Sequence, residues 1–232
     1  MYKTETHIHT RESSACSFAY AKDLVYNLKK INYSTAIITD HYSKYYFDLL
    51  KLKKLKEQIE YLDKGFQAAS YYGSKTGLNI LRGVELFLEP TQGDYLLFGI
   101  TKEFLLSYPE LYNYSLKDLY DLCQQYDFLL YQAHPFRNQE TLVANSEEVD
   151  GMEVYNGNHN AHFNELAMLY AEKNNISFIS GGDRHWISED SHSGIVSKKL
   201  IKTNDELVEV LKSGEYNLST GKTPLYYPKQ TK

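Results

Sequence analysis

Short runs of apolar and β-branched residues recur along this chain, and the longer stretches between them carry apolar residues at helical spacing. Such runs, bounded by turn residues, predict β-strands. Seven strands are predicted, at residues 4–9, 35–40, 79–84, 94–100, 127–132, 150–155 and 176–182. Helices are predicted at residues 19–31, 44–69, 115–125, 161–173 and 204–212. This alternation indicates parallel βαβ units around a sheet that is buried on both faces.

The predicted third and fourth strands are the exception to this alternation, because only the short segment 89–93 separates them. The chain has 232 residues, of which 42% are hydrophobic, and this is long enough for one large core of the α/β-barrel type. No linker, low-complexity segment or short-period repeat interrupts the sequence. We therefore predict a single domain over residues 1–232.

The composition of the chain limits which binding partners and which cellular compartment are expected for the protein. The net charge of −5 does not favour a polyanionic partner, so a dedicated duplex-binding protein is not expected. No apolar run approaches the roughly 20 residues that span a bilayer, and no secretory leader pattern opens the chain. The two cysteines, Cys16 and Cys123, fit a reducing compartment better than a disulfide-stapled secreted protein. We expect a cytoplasmic protein without a membrane partner.

Residues of metal-ligating types follow the predicted strands at their C-terminal ends, where barrel enzymes build their active sites. His7 and His9 can hold one cation together, because residues i and i+2 of a strand point to the same face. The full set is His7, His9, Asp40, His41, Glu85, His134, Glu153, Asp183 and His185. Imidazoles beside carboxylates favour zinc, manganese or iron. The sequence thus predicts a polynuclear metal site.

Six motifs carry a resemblance to a known family. In chain order they are His7-Ile8-His9-Thr10, Thr39-Asp40-His41, Gly83-Val84-Glu85, Ala133-His134-Pro135-Phe136-Arg137, Glu153-Val154-Tyr155-Asn156 and Gly182-Asp183-Arg184-His185. Each motif is weak alone, but together they resemble the polymerase and histidinol phosphatase (PHP) family. The resemblance implies a distorted (βα)7 TIM-like barrel with a metal site at its C-terminal mouth.

The resemblance also implies two to three divalent ions (Zn, Mn or Fe) and a ligand set. It implies that His7, His9, Glu85 and Asp183 hold the first ion. Glu85 would bridge to a second ion with His134, and His41 and His185 would belong to a third.

Two positions depart from the family pattern. Asp94 stands where many members have a histidine, and it is either an oxygen ligand of the second ion or a turn cap after Gly93. In the loop after Thr10 no residue aligns cleanly with the family's further ligand. Glu12 or Cys16 could complete the third site, and Cys16 could equally be a small buried residue at the start of a helix.

Three arginines, Arg11, Arg137 and Arg184, lie within a few residues of predicted ligands and are candidates for binding substrate phosphate. Arg137 is the first choice, because it follows a His-Pro pair that should fix its loop; the alternative is a surface ion pair. We assign Glu85, Arg137 and Asp40 to catalysis. Asp40 would orient a metal-bound imidazole or cap the next helix.

Four residues receive lesser roles. Glu153 and Asn156 are expected to support the mouth and the substrate. His159 and His162 are expected to cap a helix or lie at the surface, and a substrate contact from His159 is the alternative.

Two or three divalent ions about 3.5–4 Å apart form a clamp for in-line displacement at phosphorus. The sequence therefore predicts hydrolysis of a phosphoester, a small phosphorylated metabolite or nucleotide, by a metal-bound hydroxide. One alternative is a nuclease that trims oligonucleotide ends. The other is a non-catalytic metal-binding module that supports a protein partner.

Overall fold

The structure is a computed structural model that describes residues 1–137, 139–187 and 192–221. Strands β1 to β10 are Tyr2–Glu5, Thr35–Ile38, His41–Tyr42, Asn79–Leu88, Gly93–Phe98, Leu129–Gln132, Gly151–Asn156, Ser177–Gly181, Ile195–Ser197 and Tyr216–Leu218. Helices α1 to α7 are Ala21–Lys30, Lys44–Leu49, Leu55–Thr76, Lys102–Ser107, Leu116–Gln125, Ala161–Lys173 and Asn204–Ser213, and a 3-10 turn covers Leu111–Asn113. Residues 222–232 of the predicted domain lie outside the described residues.

The strands form one sheet in the order β10-β9-β1-β2-β4-β5-β6-β7-β8, with β3 paired to β4. The pairs β1–β2, β2–β4, β6–β7 and β7–β8 are parallel, as crossover helices require. Strand β5 runs antiparallel to both β4 and β6. The short segment between the predicted third and fourth strands is therefore a hairpin turn, and β5 begins at the end of the barrel where its parallel neighbours finish.

Contacts between the two ends of this strand order nearly close the sheet into a barrel. Ile8, beyond the end of β1, forms a parallel bridge with Arg184, beyond the end of β8, and His9 N donates to Arg184 O at 2.9 Å. On the other side, Ser180 Oγ in β8 donates to Ser219 O, just past β10, at 2.7 Å. The predicted TIM-like barrel is thus confirmed.

All seven predicted strands are present, and the differences are local. The short strands β3, β9 and β10, of two or three residues each, were not predicted. The helix predicted over residues 44–69 is two helices, because α2 ends at Leu49 and Lys51 adopts a positive φ of 57° that α-helix does not allow. The shorter α2 brings its first turn to the mouth of the barrel.

Apolar residues on the inner faces of the helices cover the barrel. Leu24 and Leu28 of α1 pack with Ala69 of α3 and Ile38 of β2, and all four are nearly fully buried. A larger cluster fills the space between the sheet and the remaining helices. Among the residues that the structure describes, no helix has both the length and the apolar character of a bilayer-spanning segment.

Candidate metal centre

The predicted ligand residues gather at one mouth of the barrel. His7 and His9 follow β1 and Asp183 follows β8, at the carboxyl ends of these strands, and Glu85 lies in the second half of β4. Asp94, the second residue of β5, reaches the same mouth because that strand runs in the opposite direction. The antiparallel hairpin is therefore what places this carboxylate at the mouth.

His7, His9, Glu85 and Asp183 form the innermost group of donor atoms. The Nε2 atoms of His7 and His9 are 3.0 Å apart, and they lie 3.2 Å and 3.4 Å from the Glu85 carboxylate oxygens. Asp183 Oδ1 is 3.2 Å from His9 Nε2 and 3.7 Å from His7 Nε2. All four side chains are at most 1% exposed. Two imidazoles and two carboxylates thus converge on one buried point.

Several of these buried donor atoms have no hydrogen-bond partner. They are Glu85 Oε2 and Asp183 Oδ1, and the other ring nitrogen of His9, Nδ1, also has no partner. Glu85 Oε2 lies 2.7 Å from His41 Nδ1, but the approach lacks hydrogen-bond geometry. A buried carboxylate oxygen without a partner is costly, and a cation at this point would remove that cost. The donor set, nitrogen and carboxylate oxygen only, fits a divalent ion such as zinc or manganese.

The charges of the metal-free cluster are strongly coupled. Burial alone would raise the pKa of Glu85, but His7 and His41 hold the pKa of that carboxyl well below its usual range. Asp183 behaves alike: burial opposes its charge, and His7 and His185 keep its pKa well below the usual value. Burial lowers the pKa of His7, and the carboxylates of Glu153 and Glu85 raise it well above 6.5. Both carboxylates are therefore anionic and ready to accept a cation.

Glu153 fixes the orientation of His7 by contacting the ring nitrogen that faces away from the cluster. Its Oε1 lies 2.9 Å from His7 Nδ1, and a carboxylate can only accept here, so Nδ1 carries the proton and Nε2 faces the cluster. The other oxygen accepts from His134 N at 3.1 Å and from Asn156 Nδ2 at 2.8 Å. Gly181 makes room for this arrangement, since a Cβ there would lie 2.3 Å from Glu153 Oε1. Glu153 is the carboxylate partner typical of metal-bound histidine.

A second group of donors consists of Glu85, Asp94 and His134, with donor atoms within 4.8 Å of one another. His134 Nε2 is 2.9 Å from Glu85 Oε1, and its Nδ1 is 3.9 Å from Asp94 Oδ2. Burial and the neighbouring Glu85 raise the pKa of Asp94 to about 6. Its carboxylate faces the cluster, which favours the ligand role over the turn cap.

His9, His41 and His185 form a third group, with one ring nitrogen each within 4.8 Å of the others. Cys16 lies beside this group, with its Sγ 3.2 Å from His185 Nε2. Burial raises the pKa of the Cys16 thiol, but hydrogen bonds with His185 and His41 outweigh it and lower the pKa to about 5. Cys16 lies in the loop before α1, not within the helix, and it is half-buried.

Two of the predicted ligands have unusual backbone conformations. His134 has φ 27° and Asp183 has φ 46°, in the left-handed region that non-glycine residues rarely adopt. Such conformations persist where surrounding contacts impose them, and they are frequent at functional sites. Here Glu153 holds the backbone N–H of His134, and the barrel closure holds the segment around Asp183.

Two predictions for acidic residues are corrected by the structure. Asp40 neither orients an imidazole nor caps a helix; its carboxylate accepts from Thr10 N at 2.6 Å, Thr10 Oγ1 at 2.7 Å and Ser14 Oγ at 2.7 Å. Burial raises the pKa of Asp40 to about 6 against these hydrogen bonds. Glu12 does not face the metal centre, because its carboxylate accepts from Ala21 N at the start of α1. Asp40 supports the loop, and Glu12 caps the helix.

The three arginines occupy different places. Arg184 is 4% exposed and donates to Glu5 Oε2 at 2.7 Å, so it is a structural residue, contrary to its prediction as a phosphate ligand. Arg11 donates to the carbonyls of Ala15 and Ser17 and holds its own loop. Arg137 lies at the mouth, half-exposed, 3.4 Å from His134 Nε2. Arg137 is the arginine placed to meet a substrate.

The sequence interpretation missed Tyr46 at the mouth and gave His159 a substrate contact only as the lesser alternative. The Tyr46 ring stacks on His41 with centroids 5.2 Å apart, and its position depends on the α2 cap, where Ser43 accepts from Tyr46 N. His159 stacks on His134 with centroids 5.4 Å apart; burial and the neighbouring His134 lower its pKa to about 4. A cavity of about 630 Å³ opens here, lined in part by Tyr46, Lys44 and Arg137. Tyrosine is so frequent in this chain that Tyr46 carried no sequence signal.

Known structures provide a comparison for this fold. The chain superimposes on a two-domain protein from Bacteroides vulgatus that contains a predicted PHP-like metal-dependent phosphoesterase, with TM-score 0.71 and 13% identity over 96% of this chain. This chain spans 66% of that protein's length. The fold is that of the PHP-like proteins. The resemblance predicted from six motifs is therefore confirmed at the level of the fold.

Two further structures share this PHP-like fold. PsfC from Pseudomonas syringae matches with TM-score 0.67 and 15% identity, over 99% of this chain and 93% of its own. The lesion-specific endonuclease EndoQ from Pyrococcus furiosus matches with TM-score 0.58 and 14% identity, over 94% of this chain and 57% of its own. No protein-family model matches this sequence, and curated protein sequences give no significant match.

Proposed function

We propose that this chain is a metal-dependent hydrolase that cleaves phosphoester bonds in a small phosphorylated metabolite or nucleotide. The observation that carries this proposal is the convergence of buried histidines on Glu85 and Asp183, whose inward oxygens lack hydrogen-bond partners. Buried carboxylates whose oxygens lack hydrogen-bond partners destabilise the folded protein unless a cation binds between them. The phosphoesterase and endonuclease descriptions of the structural neighbours support the choice of reaction.

The proposed ligands are those that the three donor groups contain. They are His7, His9, His41, Glu85, Asp94, His134, Asp183 and His185, and they would hold two to three divalent ions (Zn, Mn or Fe). When bound, such ions polarise phosphoryl oxygens, neutralise charge on the attacking and leaving oxygens, and lower the pKa of a water molecule.

Glu85 is the central residue of the proposed site. Its Oε1 faces His7 and His134, at 3.2 Å and 2.9 Å, and its Oε2 faces His9 and His41, at 3.4 Å and 2.7 Å. Glu85 therefore belongs to the first and second donor groups, and it also contacts His41 of the third group. Loss of its charge would affect more than one ion at once.

Arg137 is proposed to bind the phosphoryl group of the substrate. Its guanidinium lies at the open side of the centre, and a planar guanidinium matches two phosphate oxygens at once. Lys44 lines the same cavity and adds a second positive charge. The cavity, about 630 Å³, has the size of a small-molecule site, which favours a metabolite or a nucleotide over a long polymer.

An oligonucleotide-end nuclease is the second candidate. The fold likeness to the lesion-specific endonuclease from Pyrococcus furiosus favours it, whereas the net charge of −5 does not. Competition between a mononucleotide and a short single strand separates the two. A small-molecule enzyme prefers the mononucleotide, and its kcat/KM depends only weakly on salt, whereas a nuclease prefers the strand.

The test of the proposal pairs elemental analysis with hydrolysis of an aryl phosphate, in protein that is metal-free, zinc-loaded or manganese-loaded. We expect at least two ions per chain and turnover that requires them. Glu85→Gln removes the central charge, and Glu165→Gln makes the same change at an exposed position of α6 as a control. Full metal content without hydrolysis of any phosphoester would instead support the non-catalytic module. Fewer than one ion per chain after reconstitution would overturn the proposal.

A further inference from the structure

The loop that connects β1 to α1 is held rigidly against the metal centre. Asp40 anchors its first half through Thr10 and Ser14, as described above. Ser17 anchors its end, because its Oγ donates to His9 O at 2.9 Å and lies 3.2 Å from His185 O. Cys16 is the residue between these anchors, so its position is set by hydrogen bonds on both sides of it.

Helix α3 fixes the same loop from the outside. Ser13 Oγ accepts from Gly65 N at 2.8 Å and lies 3.0 Å from the carbonyl of Leu62. A Cβ on Gly65 would lie 2.0 Å from Thr10 Oγ1 and 2.1 Å from Asp40 Oδ2, so the helix and the loop approach as closely as glycine allows. The loop conformation is thus determined by packing, and Cys16 is pre-positioned.

The thiol faces a histidine whose other nitrogen is already engaged. His185 Nδ1 lies 3.0 Å from the carbonyl oxygen of Asp183, which can only accept, so Nδ1 carries a proton. Nε2 is therefore the nitrogen available to a metal ion, and it is the one that lies 3.2 Å from Cys16 Sγ. In a tetrahedral zinc site with Zn–S about 2.3 Å and Zn–N about 2.0–2.1 Å, the sulfur and a nitrogen lie about 3.5 Å apart.

The surroundings supply independent evidence for a ligand at this position. His9, His41 and His185 present ring nitrogens within 4.8 Å of one another, and fully buried His9 has an unpartnered Nδ1. The other cysteine gives the contrast, because Cys123 lies in the apolar core, fully buried, where burial raises the pKa of its thiol. Only one of the two thiols faces nitrogen donors.

We infer that Cys16 binds, as a thiolate, a divalent ion held by His41 and His185, and that it makes this site prefer zinc over manganese. This inference rests on the proposed metal centre and adds a ligand to it. On binding, a sulfur–metal bond forms, the S–H bond breaks, and the proton passes to solvent. Thiolate is a soft ligand that zinc accepts readily and that manganese, which favours oxygen, does not.

Cobalt(II) provides the test, because a thiolate bound to cobalt gives a near-ultraviolet charge-transfer band that oxygen and nitrogen ligands do not give. The metal-free protein is titrated with cobalt(II), and bound cobalt is counted by elemental analysis. We expect the band in the wild type and in Cys123→Ala, and no band in Cys16→Ser. Zinc affinity of this site should fall in Cys16→Ser by more than the about 10- to 100-fold typical of losing a supporting group.

Cys16→Asp is the control for a variant that fails to fold, because it restores an anionic ligand at this position. We expect it to bind cobalt without the band and to shift the preference from zinc toward manganese. Stoichiometric cobalt binding without a band in the wild type, or a band that persists in Cys16→Ser, would overturn the inference and leave the phosphoesterase proposal standing. Absence of any cobalt, zinc or manganese binding would overturn both.

Discussion

Two clusters of buried charged residues lie side by side at this end of the barrel, and they differ in how their polar atoms are satisfied. In the Glu5 cluster, which consists of Glu5, Tyr33, Arg184 and Ser193, Glu5 Oε1 accepts from Gly182 N at 2.8 Å. Its Oε2 accepts from Arg184 Nε at 2.7 Å and Ser193 Oγ at 2.6 Å. In the metal centre, inward oxygens of Glu85 and Asp183 have no such partner.

This difference distinguishes a structural ion pair from a site that is incomplete without a cation. Buried charges are tolerated when hydrogen bonds and opposite charges surround them, as they do Glu5. In the metal centre, imidazoles and carboxylates lie close together, and some of the carboxylate oxygens accept no hydrogen bond. This arrangement is typical of cation sites. Burial of charge alone would not have separated the two clusters, since Glu5 and Glu85 are both at most 1% exposed.

The largest expected effect comes from breaking the metal centre at Glu85. Glu85→Gln keeps the size of the side chain but removes the charge that faces four histidines and, in the proposed site, more than one ion. We expect kcat/KM for an aryl phosphate to fall at least ~1,000-fold, because the metal clamp supplies several kcal/mol of transition-state stabilisation. Bound metal should fall with it, and unfolding of the metal-free variant should stay cooperative. Unchanged metal content and activity would refute the central role of Glu85.

The same substitution in the neighbouring cluster should affect stability instead. Glu5→Gln removes the carboxylate charge that pairs with the buried Arg184 guanidinium, and removing one partner of a buried ion pair costs about 3–5 kcal/mol. Urea unfolding with metal present measures the free energy of unfolding. The exposed Glu165→Gln should change that free energy by less than ~0.5 kcal/mol. A Glu5→Gln value as small as that of the control would contradict the structural role of the cluster.

Removal of metal should destabilise the protein in a pH-dependent way. Ions present at about 1,000 times Kd contribute ~4 kcal/mol, which a chelator would remove. In the metal-free protein, burial lowers the pKa of His185, but Asp183 and Cys16 outweigh it and raise the pKa to about 9. The pKa values of His7 and His41 are also well above 6.5, because neighbouring carboxylates outweigh burial, and these three histidines together outweigh the opposite contribution of Cys16, whose pKa is lowered. A histidine whose pKa is higher in the folded than in the unfolded protein stabilises the folded state. This stabilisation is complete below pH 6.5, the pKa of the unfolded chain, and it is lost as the pH rises toward 9.

We therefore expect the free energy of unfolding of the chelated protein to decline between about pH 6.5 and 9. Metal-loaded protein should lack this decline, because the ions replace the protons and bind more tightly as pH rises. Thermal unfolding across this range, with and without chelator, provides the measurement. Parallel pH profiles for the two forms would show that the histidines do not exchange protons for metal.

A smaller effect should follow from removing the support of one ligand. Glu153→Gln weakens the acceptor that orients His7, while the ligand itself remains. Loss of such a partner typically costs 10- to 100-fold in metal affinity or activity. Competition with a chelating dye gives the affinity, and Glu172→Gln at the exposed end of α6 is the control. Metal affinity equal to that of the control would remove Glu153 from the metal centre.

Much of the fold was predictable because its signals are local. Strand positions follow from short apolar runs, and the shared face of His7 and His9 follows from the period of an extended chain. The break between α2 and α3 was not predictable in this way, since apolar residues continue at helical spacing through it. The orientation of β5 also depends on pairing, and it is this orientation that brings Asp94 to the mouth.

The roles of charged residues were less predictable than their positions, because partners are distant in sequence. Arg184 follows Asp183 directly, yet its partner Glu5 is 179 residues away, and the pair is buried. Asp40 likewise serves Thr10 and Ser14 of another loop instead of its neighbour His41. Neither the tertiary partner nor the burial can be read from the local sequence.

Anomalous diffraction from crystals grown with zinc or manganese tests the central claim most directly. Peaks at the metal's absorption edge should lie among His7, His9, Glu85 and Asp183 and toward His134, with none in the Glu5 cluster. This result would establish that the difference in hydrogen bonding between the two clusters marks a cation site. Fully formed crystals without a peak among these four residues, at a zinc or manganese concentration that saturates the protein in solution, would contradict it.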